Sequence, residues 1–318
     1  MSEFFIELFS EEIPANLQNK TRQDLFQNLK EFLEKEDIKY SGEATAFSIP
    51  NRLIVYFQNI SKKITKKENE IRGPNINAPQ DALNGFLKSY KISIDKTYKK
   101  KTDKGEFYFF KKPSESIETK FVLQKNLPKI LDKTSWKKSM RWADHELYWG
   151  RPLKSILCCF DNKTLEFEYH HLVSSNITFI DKDFERETKK FVRFKDYLAF
   201  FKSKNIILDN KKREQFIVDQ LNRIAKKENL KIHFNSNLLN EVTNIVEKPN
   251  IIKCRFNKRF LEIPDDILVT TMQVHQKYFP TFNSRDNLTN NFFLVADNKD
   301  SKGLIKIGNE NVVEARLN

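Results

Sequence analysis

The sequence predicts an α+β protein of several modules, with mixed or antiparallel sheets and helices packed on them. Three observations carry this. Short aromatic-rich runs of strand length, such as "FFIELF" at 4–9 and "RLIVYF" at 52–57, are interspersed with longer stretches of helical periodicity. The chain has 318 residues, enough for two or three domains and a sizeable core. Its 28 Phe argue against disorder although 31% of residues are charged.

Taken in order, the first sixty residues read strand, helix, strand, strand. "FFIELF" is the first strand, and "SEEIP" ends it. From Leu17 to Leu33 the apolar positions Leu17, Leu25, Leu29, Phe32 and Leu33 approximate a helical stripe. Ala44 to Ile60 holds two strand-like runs broken at Pro50. Ser61 to Gln80 is a charged segment ending in a Gly-Pro turn, and Asp81 to Tyr90 is a short helix. Tyr98 to Lys112 is a hairpin turning at Asp103-Lys104-Gly105. Ile117 to Leu131 is helical, with Phe121, Val122, Ile130 and Leu131 apolar. "LKSILCCF" and "LEFEY" are expected to pair around Asp161-Asn162-Lys163.

The middle third is richer in helix. "FVRFKDYLAFFKSKNI" and "KKREQFIVDQLNRIAKKENL" read as two helices, the second with a stripe of Phe216, Ile217, Leu221 and Ile224. Lys211, Lys212, Arg213, Arg223, Lys226 and Lys227 surround that stripe as a solvated or RNA-facing surface. From Glu241 strands return in "PNIIKCRF", "RFLEIP", "KYFPTF" and "NNFFLVAD". Three modules follow: an α+β module at 1–165, a helix-rich module at 166–240 and a β-rich module at 241–318.

Lys plus Arg number 56 against 43 Asp plus Glu, a net charge of +13 spread along the chain. A folded basic protein of this kind commonly meets a polyanion, because each neutralised phosphate releases counterions. An AT-rich genome produces the same lysine excess, so charge alone leaves both readings open. The N-terminus has early carboxylates and no basic region of a signal peptide, and no run approaches the ~20 apolar residues of a membrane span. Cys158, Cys159 and Cys254 form no CxxC pair, which disfavours zinc and disulfide frameworks and fits a reducing cytoplasm. Adjacent Cys158 and Cys159 would face opposite sides of a strand.

Motifs for nucleotide chemistry are absent: no GxxxxGK[ST] loop, no GxGxxG turn, no HExxH, no GxSxG. His170 and His171, adjacent on a strand, would face apart and could not share a metal. His275 has no partner base, nucleophile or metal set. It lies beside "QKYFP", which reads as a strand entry packed by Tyr278 and Phe279. The stronger signal is "KTSWKKSMRWADHELYWGRP" at 133–152, where all three tryptophans stand among Lys133, Lys137, Lys138, Arg141 and Arg151. If its first part is helical, Lys137, Lys138 and Arg141 share a face. Such a surface holds phosphates while tryptophans stack, or else is a tryptophan-anchored core with snorkelling lysines. Arg72 precedes a tight turn in "IRGPN". The RNA-facing candidates are therefore Arg52, Arg72, Lys137, Lys138, Arg141, Arg151 and Lys277. No catalytic or metal-binding residue is expected in this chain.

Nine blocks occur in order: "FFIELFSEEIPA", "PNRLIVYFQNI", "EIRGPNINA", "TDKGEFYFF", "LPKILDKTSWKKSMRW", "WGRPLKSIL", "EVTNIVEKPNIIKCRFNKRFLEIPDDILVTTMQVHQKYFPTF", "NNFFLVADNKD" and "GNENVVEARL". In these the chain resembles the beta subunit of the bacterial heterotetrameric glycyl-tRNA synthetase. The resemblance implies a cytoplasmic assembly of two alpha and two beta subunits that joins glycine to its tRNA. It places ATP, magnesium and the class II catalytic core on the alpha subunit, and tRNA binding on the beta subunit. It also implies a front portion similar to the tRNA-gripping domains of archaeal CCA-adding enzymes. The family continues into a helical HD-like region and an anticodon-binding domain, so this sequence is expected to be part of a longer chain. Departures are Asn51 in "PNRL", Ala143 where the family has glycine, and Val274-His275 where it has Gly-Asp. An editing hydrolase is disfavoured, since glycine leaves no smaller competitor to sieve. A stand-alone RNA-binding module is the competing reading.

Overall fold

The computed structural model describes residues 2–66, 68–180 and 187–318. The apolar run at the N-terminus becomes β1 (Ser2–Ser10), the middle strand of the first sheet. Pro14 caps α1 (Ala15–Lys35), whose Leu17, Thr21, Leu25, Leu29 and Leu33 recur every fourth residue and are buried. A stripe at that spacing faces one surface of a helix. β2 (Ala44–Ile49) and β3 (Arg52–Ile60) form a hairpin around Pro50-Asn51. The chain then leaves the sheet through β4 (Lys63–Lys66), β5 (Asn69–Asn75), α2 (Gln80–Tyr90), β6 (Thr97–Thr102), β7 (Gly105–Lys112) and β8 (Glu115–Glu118). β4 and β8 pair as the two-stranded stalk of this excursion, and β5-β7-β6 form a small sheet beyond it. The β6–β7 turn lies where Asp103-Lys104-Gly105 places it, with Gly105 at φ 114°.

α3 (Thr119–Asp132) returns the chain, and β9 (Leu153–Phe160) and β10 (Lys163–Thr164) complete the antiparallel order β10-β9-β1-β3-β2. Asp161 and Asn162 between them have φ 51° and 60°, the left-handed pair of a tight hairpin turn. Because strand side chains alternate, the sheet has two apolar faces. Phe4, Ile6, Leu8, Leu53, Val55, Phe57, Ile156 and Cys158 face α1 and α3. Phe5, Ile54, Tyr56, Leu157 and Cys159 face the other way. The two cysteines thus lie on opposite faces, as their adjacency implies.

The second face is closed by α4 (Phe194–Ser203), through Phe194, Tyr197 and Phe201, after the short strands β11 (Glu168–Tyr169), β12 (Leu172–Val173), β13 (Ile177–Phe179) and β14 (Thr188–Lys190). Next come α5 (Asn210–Lys227) and α6 (Ser236–Ile245), capped by Asp209 and Asn235 side chains that accept backbone N–H groups. They cover one face of a second antiparallel sheet, in the order β15-β17-β16. Its strands are β15 (Asn250–Arg255), then, after α7 (Asp265–Thr270), β16 (Phe279–Phe282) and β17 (Leu288–Ala296). The other face packs Phe256, Leu268, Met272, Tyr278 and Val313, the last from α8 (Leu304–Leu317).

Several expectations are corrected here. The boundaries expected at 165 and 240 do not coincide with breaks in packing. Leu165, Phe167 and Tyr169 complete the first core, α4 belongs to the first sheet, and α5 and α6 belong to the second. "RFLEIP" is not a strand: Lys258–Glu262 is a 3-10 turn capped by Asn257. Of "LEFEY", only Glu168–Tyr169 is a strand, and it pairs with β12 rather than β9. His170 and His171 form the turn between β11 and β12, with His170 at φ 52°. The charged segment from Ser61 contains β4 and β5, and Gly73-Pro74 is a bulge within β5, not a terminating turn. On α5, Ile217 and Leu221 are buried, but Phe216 is 37% exposed. Arg213, expected on the surface, is fully buried, with its guanidinium donating to the carbonyls of Ser48, Ile207, Leu208 and Thr243. On α3, Phe121 is 56% exposed, and Leu123 and Leu127 take the expected place in the core.

Candidate RNA-facing surface

The segment between α3 and β9 is an irregular loop, not a helix. Aromatic packing shapes it. Trp149 is buried against Trp136 at 5.1 Å, and the Trp136 ring lies over Gly150, where a Cβ would overlap it. Met140 and Trp149 bridge by two backbone hydrogen bonds of 2.8 and 3.1 Å. Trp142 packs edge-on against His145 at 6.0 Å and His171 at 5.6 Å, and the two imidazoles stack at 3.7 Å. Burial, then the neighbouring His145, lowers the pKa of His171. Asp24 of α1 accepts hydrogen bonds from Lys20 and Ser135, which tie the loop to that helix. Those two donors hold the Asp24 carboxyl below its usual pKa.

Lys137, Lys138 and Arg141 stand exposed between these anchors. They share a loop rather than a helical face. Trp136 and Trp149 serve as packing anchors, as the core reading of this stretch has it. Arg151 is half-buried, and its Nη1 donates to the Gly150 carbonyl at 3.4 Å. Arg72 is exposed on β5, with its guanidinium 3.6 Å over the Phe107 ring. On β6, across β7 from β5, Lys100 lies 5.4 Å over Phe109 and pairs with Glu70 at 2.6 Å. The signal was there in the "KKK" run facing "EFYFF" across the hairpin.

Arg52 is the clear correction among the candidates. It is 1% exposed and belongs to the core. Its Nη1 lies 3.4 Å from Glu7 and donates to Thr178 at 3.0 Å, and its Nη2 donates to the Phe179 carbonyl at 2.8 Å. The rings of Phe9 and Phe201 sandwich the cation at 4.5 and 4.9 Å. Tyr197 donates to Glu7. Burial, then the Glu7 charge, pushes the Tyr197 hydroxyl well above its usual range, so it stays protonated. Lys277 is half-buried at φ 62°, where the chain turns from the helical segment into β16. It pairs with Glu241 at 2.8 Å and donates to the Val274 carbonyl at 2.9 Å. Tyr278 and Phe279 are buried beyond it, while His275 is exposed. Burial raises the pKa of all three cysteine thiols, Cys159 and Cys254 to about 12, which opposes a thiolate nucleophile.

Fold and surface together define a basic α+β protein with two helix-covered antiparallel sheets. Among its cations, Arg72 and Lys100 lie over aromatic rings, and Lys137, Lys138 and Arg141 stand on a loop anchored by tryptophans. The chain belongs to the glycyl-tRNA synthetase beta subunit family, whose profile matches residues 4–318. It is similar to the glycine–tRNA ligase beta subunits of Rickettsia felis and Rickettsia prowazekii at 35% identity and of Rickettsia akari at 34%. Each match covers 100% of this chain and 48% of the relative, so the chain spans about half the length of those curated relatives.

Proposed function

We propose that this chain serves as part of a glycine–tRNA ligase beta subunit, supporting ATP-dependent attachment of glycine to tRNA(Gly). It does so by binding tRNA and a catalytic alpha subunit within an alpha2 beta2 assembly in the cytoplasm. ATP and magnesium belong to the alpha subunit in this reading. The kinship of the first sheet and its helices with tRNA-gripping domains of archaeal CCA-adding enzymes is part of the same reading. The observation that carries it is the family match over residues 4–318, joined to the exposed Lys137, Lys138 and Arg141 on an aromatic-anchored loop.

The chemistry fits. Ammonium and guanidinium groups on a firm loop neutralise backbone phosphates without reading bases. Trp142 supplies a flat apolar surface beside them. The test is reconstitution with the alpha subunit. The chain is expected to co-purify with alpha and to raise glycyl-tRNA formation above that of alpha alone. Binding of tRNA without association or gain of aminoacylation would replace this reading with a stand-alone RNA-binding module.

A further inference from the structure

A second basic surface lies on the seam between the two sheets, far from the loop in sequence. Here the end of α4 faces the entry to β15 and the exit from β17. They enclose a cavity of about 600 Å³. That is within the ~300–1,000 Å³ range of small-molecule sites. Lys202 and Lys204 line one wall, and Lys248 and Lys299 line the other. Phe216 stands at the cavity and is 37% exposed. Asp297 is the carboxylate of the lining, and its Oδ1 already accepts the backbone N–H groups of Glu247 and Lys248 at 2.7 and 2.8 Å. Lys248 has Glu247 at 3.5 Å.

The walls are fastened together. Ile207 N–H donates to the Glu247 carbonyl at 2.9 Å across the seam. The buried Arg213 guanidinium binds Ser48 on the first sheet and Thr243 on α6, both at 2.8 Å. With Lys248 offset by Glu247 and Asp297 committed to backbone N–H groups, the ammonium groups of Lys202, Lys204 and Lys299 on a concave surface focus positive potential. An exposed phenylalanine beside it offers a π-face to a base.

We propose that this cavity binds one phosphate-and-base unit of an RNA strand, with the phosphate against Lys202, Lys204 and Lys299 and the base on Phe216. The inference rests on the reading of this chain as an RNA-binding subunit and adds a second contact region to it.

The experiment measures tRNA affinity of the 318-residue chain across a salt series, with AMP as a competitor. The triple variant Lys202→Ala/Lys204→Ala/Lys299→Ala is expected to lose about tenfold in affinity, and its log–log salt slope to fall by roughly 0.7 for each lost phosphate. Phe216→Leu, which keeps apolar volume but removes the flat ring, is expected to lose about fivefold. These side chains are exposed, and thermal melts of the variants are expected to superpose on the parent. An unchanged affinity and slope in the triple variant, with a loss in Lys137→Ala/Lys138→Ala/Arg141→Ala, overturns the seam site and keeps the RNA-binding reading. No loss in either triple variant overturns both. AMP binding that the seam triple abolishes, without any change in tRNA affinity, makes the cavity a free-nucleotide site and overturns the RNA assignment.

Discussion

Arg52 is held by Glu7 from the adjacent strand, by Thr178 and Phe179 from β13, and by two rings. A buried charge of this kind is tolerated because each partner replaces part of its lost hydration. Removing it leaves Glu7, 0% exposed, without its counter-charge. Arg52→Ala is therefore expected to lower stability by about 3–5 kcal/mol in urea unfolding. The double variant Arg52→Met/Glu7→Leu is expected to lose less, because no orphaned charge remains. A loss under about 1 kcal/mol for Arg52→Ala would show that the network contributes little. None of this was legible from "PNRLIVYF". A single arginine beside a turn resembles a surface residue, and its partners lie 45, 126 and 127 positions away. Cys158 and Cys159 show the opposite case. Their placement follows from strand alternation, a local rule that needs no distant partner.

The loop from α3 to β9 is the element on which the functional reading depends. Its rigidity comes from Trp136, Trp142, Trp149 and the stacked His145–His171 pair. His171 also faces His170 and the Leu153 backbone, and burial is the main cause of its lowered pKa. A base with a depressed folded pKa binds a proton more readily when unfolded. The contribution of the stack is therefore present above about pH 6.5, the unfolded value, and is lost as pH falls from there through the lower folded pKa. Tryptophan emission is expected to titrate with a midpoint below about 6.5, and His171→Phe, which keeps a ring, is expected to flatten that step. Identical titrations in the parent and His171→Phe would contradict this role of the His145–His171 stack. The helical first part that would give Lys137, Lys138 and Arg141 a shared face does not form, for a visible reason. The Met140–Trp149 bridge and the Trp136–Gly150 contact close the segment on itself, and both join residues too far apart for a helical turn. Hairpins at Asp103-Lys104-Gly105 and Asp161-Asn162 were legible because turn geometry is written in adjacent residues. "RFLEIP" misled because its apolar spacing suits a strand, while Asn257 capping and Pro264 set a tight turn instead.

At the scale of the whole molecule, the two sheets share a seam closed by Arg213. The basic residues behind the net charge of +13 are spread along the whole chain rather than confined to one segment. Such a body attracts a polyanion from any direction, but only firmly mounted cations form specific contacts. The family relationship was legible in ordered blocks of sequence. The exposed cations were legible in part: Arg72, Lys137, Lys138 and Arg141 reach solvent as expected, whereas Arg52 is buried, because its exposure depends on packing between distant segments. The most direct measurement is the salt dependence of tRNA binding by the parent chain and by Lys137→Ala/Lys138→Ala/Arg141→Ala. The expected result is an affinity loss well above tenfold and a slope reduced by roughly 2–3, for three phosphate contacts at ~0.7–0.9 each. Superposed lines for the two proteins would contradict the assignment of this loop to RNA.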